Sequence, residues 1–153
     1  MKANPPAPPL GGLRIGVLFC LLWGASLAAL DPPPGAAAFD DNGDGRPDRW
    51  EFFNQDGGLS IYLDTKGSGK VSYLLDHDRE ALRVREALDF NGDGELDDFY
   101  YYANDVLVRR ELDTNYDGRI DVWVYLEAGV YITRYERDKD YDGIPELVKV
   151  FVP

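Results

Sequence analysis

Trp50 and Phe52, Phe99 and Tyr101, and Trp123 and Tyr125 each stand two residues apart, the period of side chains on one face of a β-strand. Leu74 with Asp76, and Val148 with Val150, hold the same places in two further segments. Short turn-forming stretches follow four of these runs: Gln55–Gly58, Asp76–Glu80, Asn104–Asp105 and Glu127–Gly129. A second apolar run comes next in each case, LSIYL at 59–63, ALRVREAL at 81–88, VLVRREL at 106–112 and VYITRYE at 130–136. The pattern predicts strand, tight turn, strand, repeated along the chain. β-branched and aromatic residues dominate and glycine punctuates every unit, which disfavours helix; only 80–88 has a composition that also suits a short helix. The expectation is an all-β protein, an antiparallel meander of nine strands in about four and a half hairpin repeats. In the third and fourth units both faces of the strands are apolar or aromatic, which points to closure of the sheet, a second layer or a partner.

Between hairpins lies a recurring acidic segment: DDNGDGRPD at 40–48, DFNGDGELD at 89–97, DTNYDGRID at 113–121 and DKDYDGIPE at 138–146, with an altered copy, DTKGSGKVS, at 64–72. Their first residues, Asp40, Asp64, Asp89, Asp113 and Asp138, fall at intervals of 24 or 25 residues. A fixed period of this kind marks a repeat architecture.

The segment alternates oxygen-bearing side chains at positions one, three, five and nine, with a backbone carbonyl expected at seven. Glycine at position six (Gly45, Gly69, Gly94, Gly118, Gly143) permits the sharp turn that gathers these oxygens. Position eight is apolar, as Pro47, Val71, Leu96, Ile120 or Pro145, and suits anchoring the loop to a core. Hard oxygen donors with a flexible shell favour calcium over magnesium, and the single histidine argues against zinc and copper.

At the level of these nine residues the segment resembles the calcium loops of EF-hands, dockerins and thrombospondin type 3 repeats. The resemblance implies ligands Asp40, Asn42, Asp44, the Arg46 carbonyl and Asp48 in the first loop, and Asp89, Asn91, Asp93, the Glu95 carbonyl and Asp97 in the third. In the fourth it implies Asp113, Asn115, Asp117, the Arg119 carbonyl and Asp121, and in the fifth Asp138, Asp140, Asp142, the Ile144 carbonyl and Glu146. About four Ca2+ ions are therefore expected. The chain departs from the EF-hand in lacking a bidentate glutamate on a following helix: position twelve holds Glu51, Tyr100, Val124 or Lys149, and strand alternation turns Glu51 away from the face of Trp50 and Phe52. Without helices to swing apart, a calcium-stiffened scaffold fits better than a sensor. In the altered copy Lys66, Ser68 and Ser72 replace ligands and put an ammonium in the loop, so the loop at 64–72 is expected to hold no metal.

The net charge of −12 changes the picture in two ways. It excludes nucleic acid and anionic lipid as simple partners. It also demands a reason for placing three acids at the ligand positions of each of the first, third and fourth loops and four at those of the fifth, and divalent cations supply one.

Residues 1–28 read as a cleaved signal peptide, with Lys2 and Arg14 ahead of the apolar run 15–30 and a small-x-small site at Ser26-Leu27-Ala28. An uncleaved anchor is the alternative. Cys20 lies in that run, so the mature chain would carry no disulfide. Residues 29–38 read as a Pro/Ala-rich linker and 39–153 as one β-repeat domain, secreted or held in the periplasm or cell envelope, with no membrane span in the mature chain.

Catalytic groups are sparse. His77 reads as a solvated turn residue and the carboxylate pairs repeat with the loops, so the chain is expected not to be an enzyme. The functional reading is a calcium-braced structural or adhesive scaffold, with an envelope protein, a polysaccharide or a second copy as partner. The alternative is a carbohydrate- or protein-recognition module using an aromatic sheet face, with Tyr101 and Tyr125 as ligand-binding residues. Arg85, Arg109 and Arg134, each four residues before a loop, are expected to pair across strands with glutamates.

Overall fold

In the computed structural model, which describes residues 30–151, the chain forms one ten-stranded sheet. The strands are β1 (Ala37–Phe39), β2 (Arg49–Phe53), β3 (Leu59–Leu63), β4 (Tyr73–His77), β5 (Arg83–Leu88), β6 (Asp98–Ala103), β7 (Val106–Leu112), β8 (Val122–Glu127), β9 (Tyr131–Arg137) and β10 (Leu147–Val150). They pair in sequence order, every neighbour antiparallel, so all-β and meander are both correct. The segment with helix-compatible composition is strand β5. β1 is a strand beyond the nine expected; it begins at Ala37, inside the segment read as linker, because Ala37, Ala38 and Phe39 pair with Glu51, Trp50 and Arg49. The segment read as a signal peptide lies outside the described residues.

The acidic loops all lie on one edge of the sheet and the tight turns on the other. Asn104 and Asp105, both in the left-handed region with φ of 50° and 63°, make the two-residue turn between β6 and β7. That geometry matches the twist of the strands it joins. One bulge recurs: register shifts leave Val84, Val108 and Thr133 unopposed on β5, β7 and β9. Each bulge sits just before Arg85, Arg109 or Arg134 and shifts the register next to them.

Closure does not occur among the described residues: the sheet is a single open layer with β1 and β10 at its edges. Two devices cover its apolar faces instead. On one face the register aligns Trp50, Tyr62, Leu74, Ala87 and Phe99 across β2 to β6. Position eight of the loops folds over this row, so Val71 and Leu96 are buried in the same cluster and Ile120 packs against it. Elsewhere arginines lie over tyrosines: Arg109 over Tyr101 at 4.2 Å, Arg110 over Tyr100 at 4.9 Å and Arg83 over Tyr102 at 4.6 Å. A guanidinium spreads on an aromatic face while its polar edge stays wet. Leu30 also reaches the cluster.

The arginine pairing differs from expectation. Arg85 bonds across the strands to Asp76, but Arg109 and Arg134 pair with Glu111 and Glu136 two places along their own strands. The cross-strand partners of those two arginines are Tyr101 and Tyr125, which leaves the glutamates beside them on the same face.

Candidate metal centre

Each loop is built around its first aspartate. The Asp40 carboxylate accepts the N–H groups of Gly43 (2.7 Å), Asp44 (3.2 Å) and Gly45 (2.9 Å). Asp113 does the same for Tyr116, Asp117 and Gly118, Asp89 for Gly92 and Gly94, and Asp138 for Tyr141 and Gly143. The turn therefore wraps around a carboxylate that satisfies inward-pointing amides. Position five accepts the N–H of position seven: Asp44 from Arg46 (2.9 Å), Asp93 from Glu95 (2.8 Å), Asp117 from Arg119 (3.0 Å) and Asp142 from Ile144 (2.8 Å). Those four residues carry the carbonyls expected to ligate.

The ninth residue closes the loop from its far end. Asp48 takes the N–H groups of Asp41 and Asn42, both at 3.0 Å, and Asp97 those of Phe90 and Asn91. Asp121 takes both the N–H and the hydroxyl of Thr114. These closures compete with convergence on a common centre. Among the described residues, the acids whose ligand atoms all come within 4.8 Å of one another are those of the fifth loop: Asp138, Asp140, Asp142 and Glu146. The reason is chemical. Glu146 has one more methylene than aspartate, so one carboxylate accepts the Lys139 N–H at 2.6 Å and still joins the cluster.

Position three separates the loops further. Asn91 and Asn115 direct their amide nitrogens at Asp93 (2.7 Å) and Asp117 (3.0 Å), and the amide oxygen of Asn42 accepts the Asp44 N–H at 2.8 Å. In the fifth loop that place is Asp140, an acceptor only. Desolvation raises its carboxyl above the ordinary aspartate range, and the charges of Asp142 and Glu146 push the same way. A site of four carboxylates, one buried and three exposed, is a hard-oxygen donor set that fits a divalent cation. In the third loop burial raises the Asp97 carboxyl, and amide bonds from Phe90 and Asn91 only partly offset it.

The fourth and fifth loops also enclose a small cavity of about 10 Å³, roughly one water in size, lined by Asp117, Asp121, Asp138 and Tyr141 among others. Asp121 and Asp138 are each 2% exposed.

The second loop keeps the same wrap without the ligand set. Asp64 accepts the N–H groups of Lys66, Ser68 and Gly69, and the Ser72 hydroxyl accepts the Thr65 N–H at 2.8 Å. Burial works against ionisation of Asp64, but these bonds together hold its carboxyl below the usual range. The Lys66 ammonium is not inside this loop. It reaches the third loop, donating to the Asp89 carbonyl at 2.9 Å and the Asp89 carboxylate at 3.3 Å. Lys70 likewise donates to the Asp93 carbonyl at 2.6 Å. Reading the loop in isolation missed both contacts; the 25-residue period, which places neighbouring loops side by side, was the available signal.

Tyr101 and Tyr125 share one row with Arg109 and Arg134, under guanidinium groups at 4.2 and 5.7 Å. Tyr101 donates its hydroxyl to Glu111 at 2.9 Å. His77 ends β4 rather than lying in a free turn, and lines an open cleft of about 740 Å³ on the turn edge with Asp56, Asp76, Asp78 and Arg85. Those acids stand outside the loop repeat. Glu51 faces away from Trp50, as alternation required, and pairs with Arg49.

No protein-family model matches the chain, and no curated protein matches it. Among solved structures it is similar to a chain of the GtfA/B complex, with 16% identity and a TM-score of 0.49, over 81% of this chain and 22% of that one. It is similar to TarM with 14% identity and a TM-score of 0.44, over 67% and 19%. A third match is to the structure of accessory secretory protein 1, 2 and 3 in Streptococcus pneumoniae, with 15% identity and a TM-score of 0.42, over 85% and 22%. The chain thus spans about a fifth of the length of each solved chain it matches. Set against these structural neighbours, the expectation that the chain is not an enzyme is withdrawn.

Proposed function

We propose that the protein is an exported calcium-binding β-repeat scaffold, in which Ca2+ ions brace the loops along one edge of the sheet and give it a structural or adhesive role at or outside the cell envelope. The observation that carries the reading is the fifth loop, where four carboxylates share one small volume. Four negative charges within 4.8 Å repel strongly unless a cation lies among them. The donors are all oxygen, which selects a hard ion, and a large flexible shell favours calcium over magnesium. The first, third and fourth loops offer acids at positions one, five and nine on the same backbone wrap, and the resemblance to calcium loops extends the reading to them. Export rests on the composition of residues 1–28.

In this scheme Asp138 holds the turn through its amide bonds, while Asp140, Asp142 and Glu146 bring charge to the ion. Bound calcium supplies the opposite charge and links the incoming and outgoing strands of a loop. The test is thermal unfolding of the full chain with calcium, with magnesium and in chelator, alongside Asp117→Ala. Calcium should raise the melting temperature, magnesium should raise it less, and chelator should reverse the gain. A melting temperature indifferent to all three would reject the proposal.

A further inference from the structure

Neighbouring acidic loops stand two strands apart on one sheet edge, about 10 Å at ordinary strand spacing. A lysine side chain spans most of that distance, and the second loop carries two. Lys66 reaches across to Asp89, the first residue of the third loop, meeting both its carbonyl (2.9 Å) and its carboxylate (3.3 Å). Lys70 reaches the carbonyl of Asp93, the fifth residue, at 2.6 Å. The glycines of the third loop make room for both. A Cβ at Gly94 would stand 2.2 Å from Lys70 Cδ, and one at Gly92 would stand 3.2 Å from Lys66 Nζ. In the first, third and fourth loops the place of Lys66 is taken by Asn42, Asn91 and Asn115, each of which bonds within its own loop, and in the fifth it is taken by Asp140.

From this geometry we infer that Lys66 and Lys70 form an intrachain cationic clasp between the second and third loops. The clasp supplies from the chain itself the positive charge that a divalent ion supplies elsewhere, and makes the third loop the weakest of the four calcium sites. Asp89 is the first ligand expected of that loop, and its side chain is 3% exposed, so the ammonium beside it acts with little solvent between them. An ion ligated by Asp89 would lie within a few ångströms of Lys66 and be repelled. The clasp also coincides with the core cluster of Tyr62, Val71, Leu74, Ala87, Leu96 and Phe99, which spans the same two loops and the strands between them. The centre of the sheet is therefore held by packing and ammonium ions. The calcium-affinity part of this inference rests on the proposed calcium reading; the clasp itself does not.

Hydrogen exchange read by mass spectrometry on the full chain tests it, in chelator and across a calcium titration, for wild type and for K66A/K70A. In wild type, residues 89–97 should be protected already in chelator, and should respond to calcium only at concentrations about tenfold above those that protect 113–121 and 138–146. In the double variant, 89–97 should exchange about tenfold faster in chelator and should be protected by calcium at about tenfold lower concentration than in wild type. Unchanged exchange and unchanged calcium response of 89–97 in K66A/K70A would overturn the clasp while leaving the calcium reading intact. Failure of calcium to protect any loop would overturn the calcium reading. The clasp would then be judged in chelator alone, upheld if the double variant loosens 89–97 and rejected if it does not.

Discussion

The backbone N–H of Asp138 donates to the carbonyl of Asp121 at 2.9 Å, joining the first residue of the fifth loop to the last of the fourth. The same bond links Asp64 to Asp48 (2.8 Å), Asp89 to Ser72 (3.0 Å) and Asp113 to Asp97 (2.8 Å). Adjacent loops are thus stitched together by their backbones at the points where their carboxylates are most buried. Two roles of the acids follow, one in holding the turn and one in carrying charge, and they separate by position.

Asp138→Ala strands the N–H groups of Tyr141 and Gly143, which now bond its carboxylate at 2.7 Å each. The expected loss in urea denaturation is about 2 kcal/mol, in chelator as well as in calcium. Asp140→Ala removes an exposed carboxylate with raised proton affinity, and should leave stability in chelator unchanged or slightly higher while abolishing the calcium response of that loop. Equal behaviour of the two variants would show that the division by position is wrong.

For calcium itself, linkage sets the size of the effect. A site held at a hundredfold excess over its Kd contributes about 2.7 kcal/mol, so the fifth loop alone should move the melting temperature by several degrees. Isothermal titration calorimetry checks the count, and Glu146→Ala should remove one site from it.

Leu74 is 1% exposed at the centre of the packed face. Leu74→Ala should cost about 3 kcal/mol, because the open sheet has no second layer that could collapse onto the gap. Calcium titration of the folded variant should be unchanged in the fifth loop, five strands away.

Two glycines give contrasting outcomes. A Cβ at Gly58 would stand 2.5 Å from the carbonyl oxygen of His77, which is backbone and cannot swing aside. Gly58→Ala should therefore destabilise by about 3 kcal/mol or abolish folding, through forced separation of β3 and β4. Gly43 has φ of 78° with nothing within 4 Å, so Gly43→Ala should cost only about 1 kcal/mol of backbone strain. Denaturant midpoints distinguish the two.

Alkaline pH supplies a further check. Burial pushes the Tyr101 hydroxyl up to about 12, with the neighbouring Glu111 carboxylate adding to the rise. Burial and the bond to Asp98 do the same for Tyr100, again to about 12. A phenol whose folded pKa lies above its unfolded value of 10.0 binds its proton more tightly when folded. Its contribution is intact below pH 10 and is lost as pH rises towards 12. Stability should fall across that window, with phenolate absorbance lagging behind that of free tyrosine, and Tyr101→Phe should flatten part of the decline.

The strands were legible because alternation is local: Trp123 and Tyr125 are on one face whatever surrounds them, and Asn104-Asp105 can turn a hairpin by itself. The loops were legible for the same reason, since the glycine at position six and the oxygens flanking it act within nine residues. Less legible was how an apolar sheet remains a single layer. The expectation of closure, a second layer or a partner left out cover from the sheet's own side chains: Arg109 and Arg83 lie over Tyr101 and Tyr102, and Val71 and Leu96 fold onto the other apolar row. The strand of Ala37–Phe39 was hidden because two alanines carry no periodic signal of their own and pair only through the backbone.

The amino-acid sequence by itself determined the meander, its period and the acidic loops, because each of these depends on contacts within one hairpin. Tertiary structure decided which oxygens converge and where the lysines go. Convergence in the fifth loop turns on the extra methylene of Glu146, and the reach of Lys66 to Asp89 depends on strand register two strands away, a distance that no local pattern encodes.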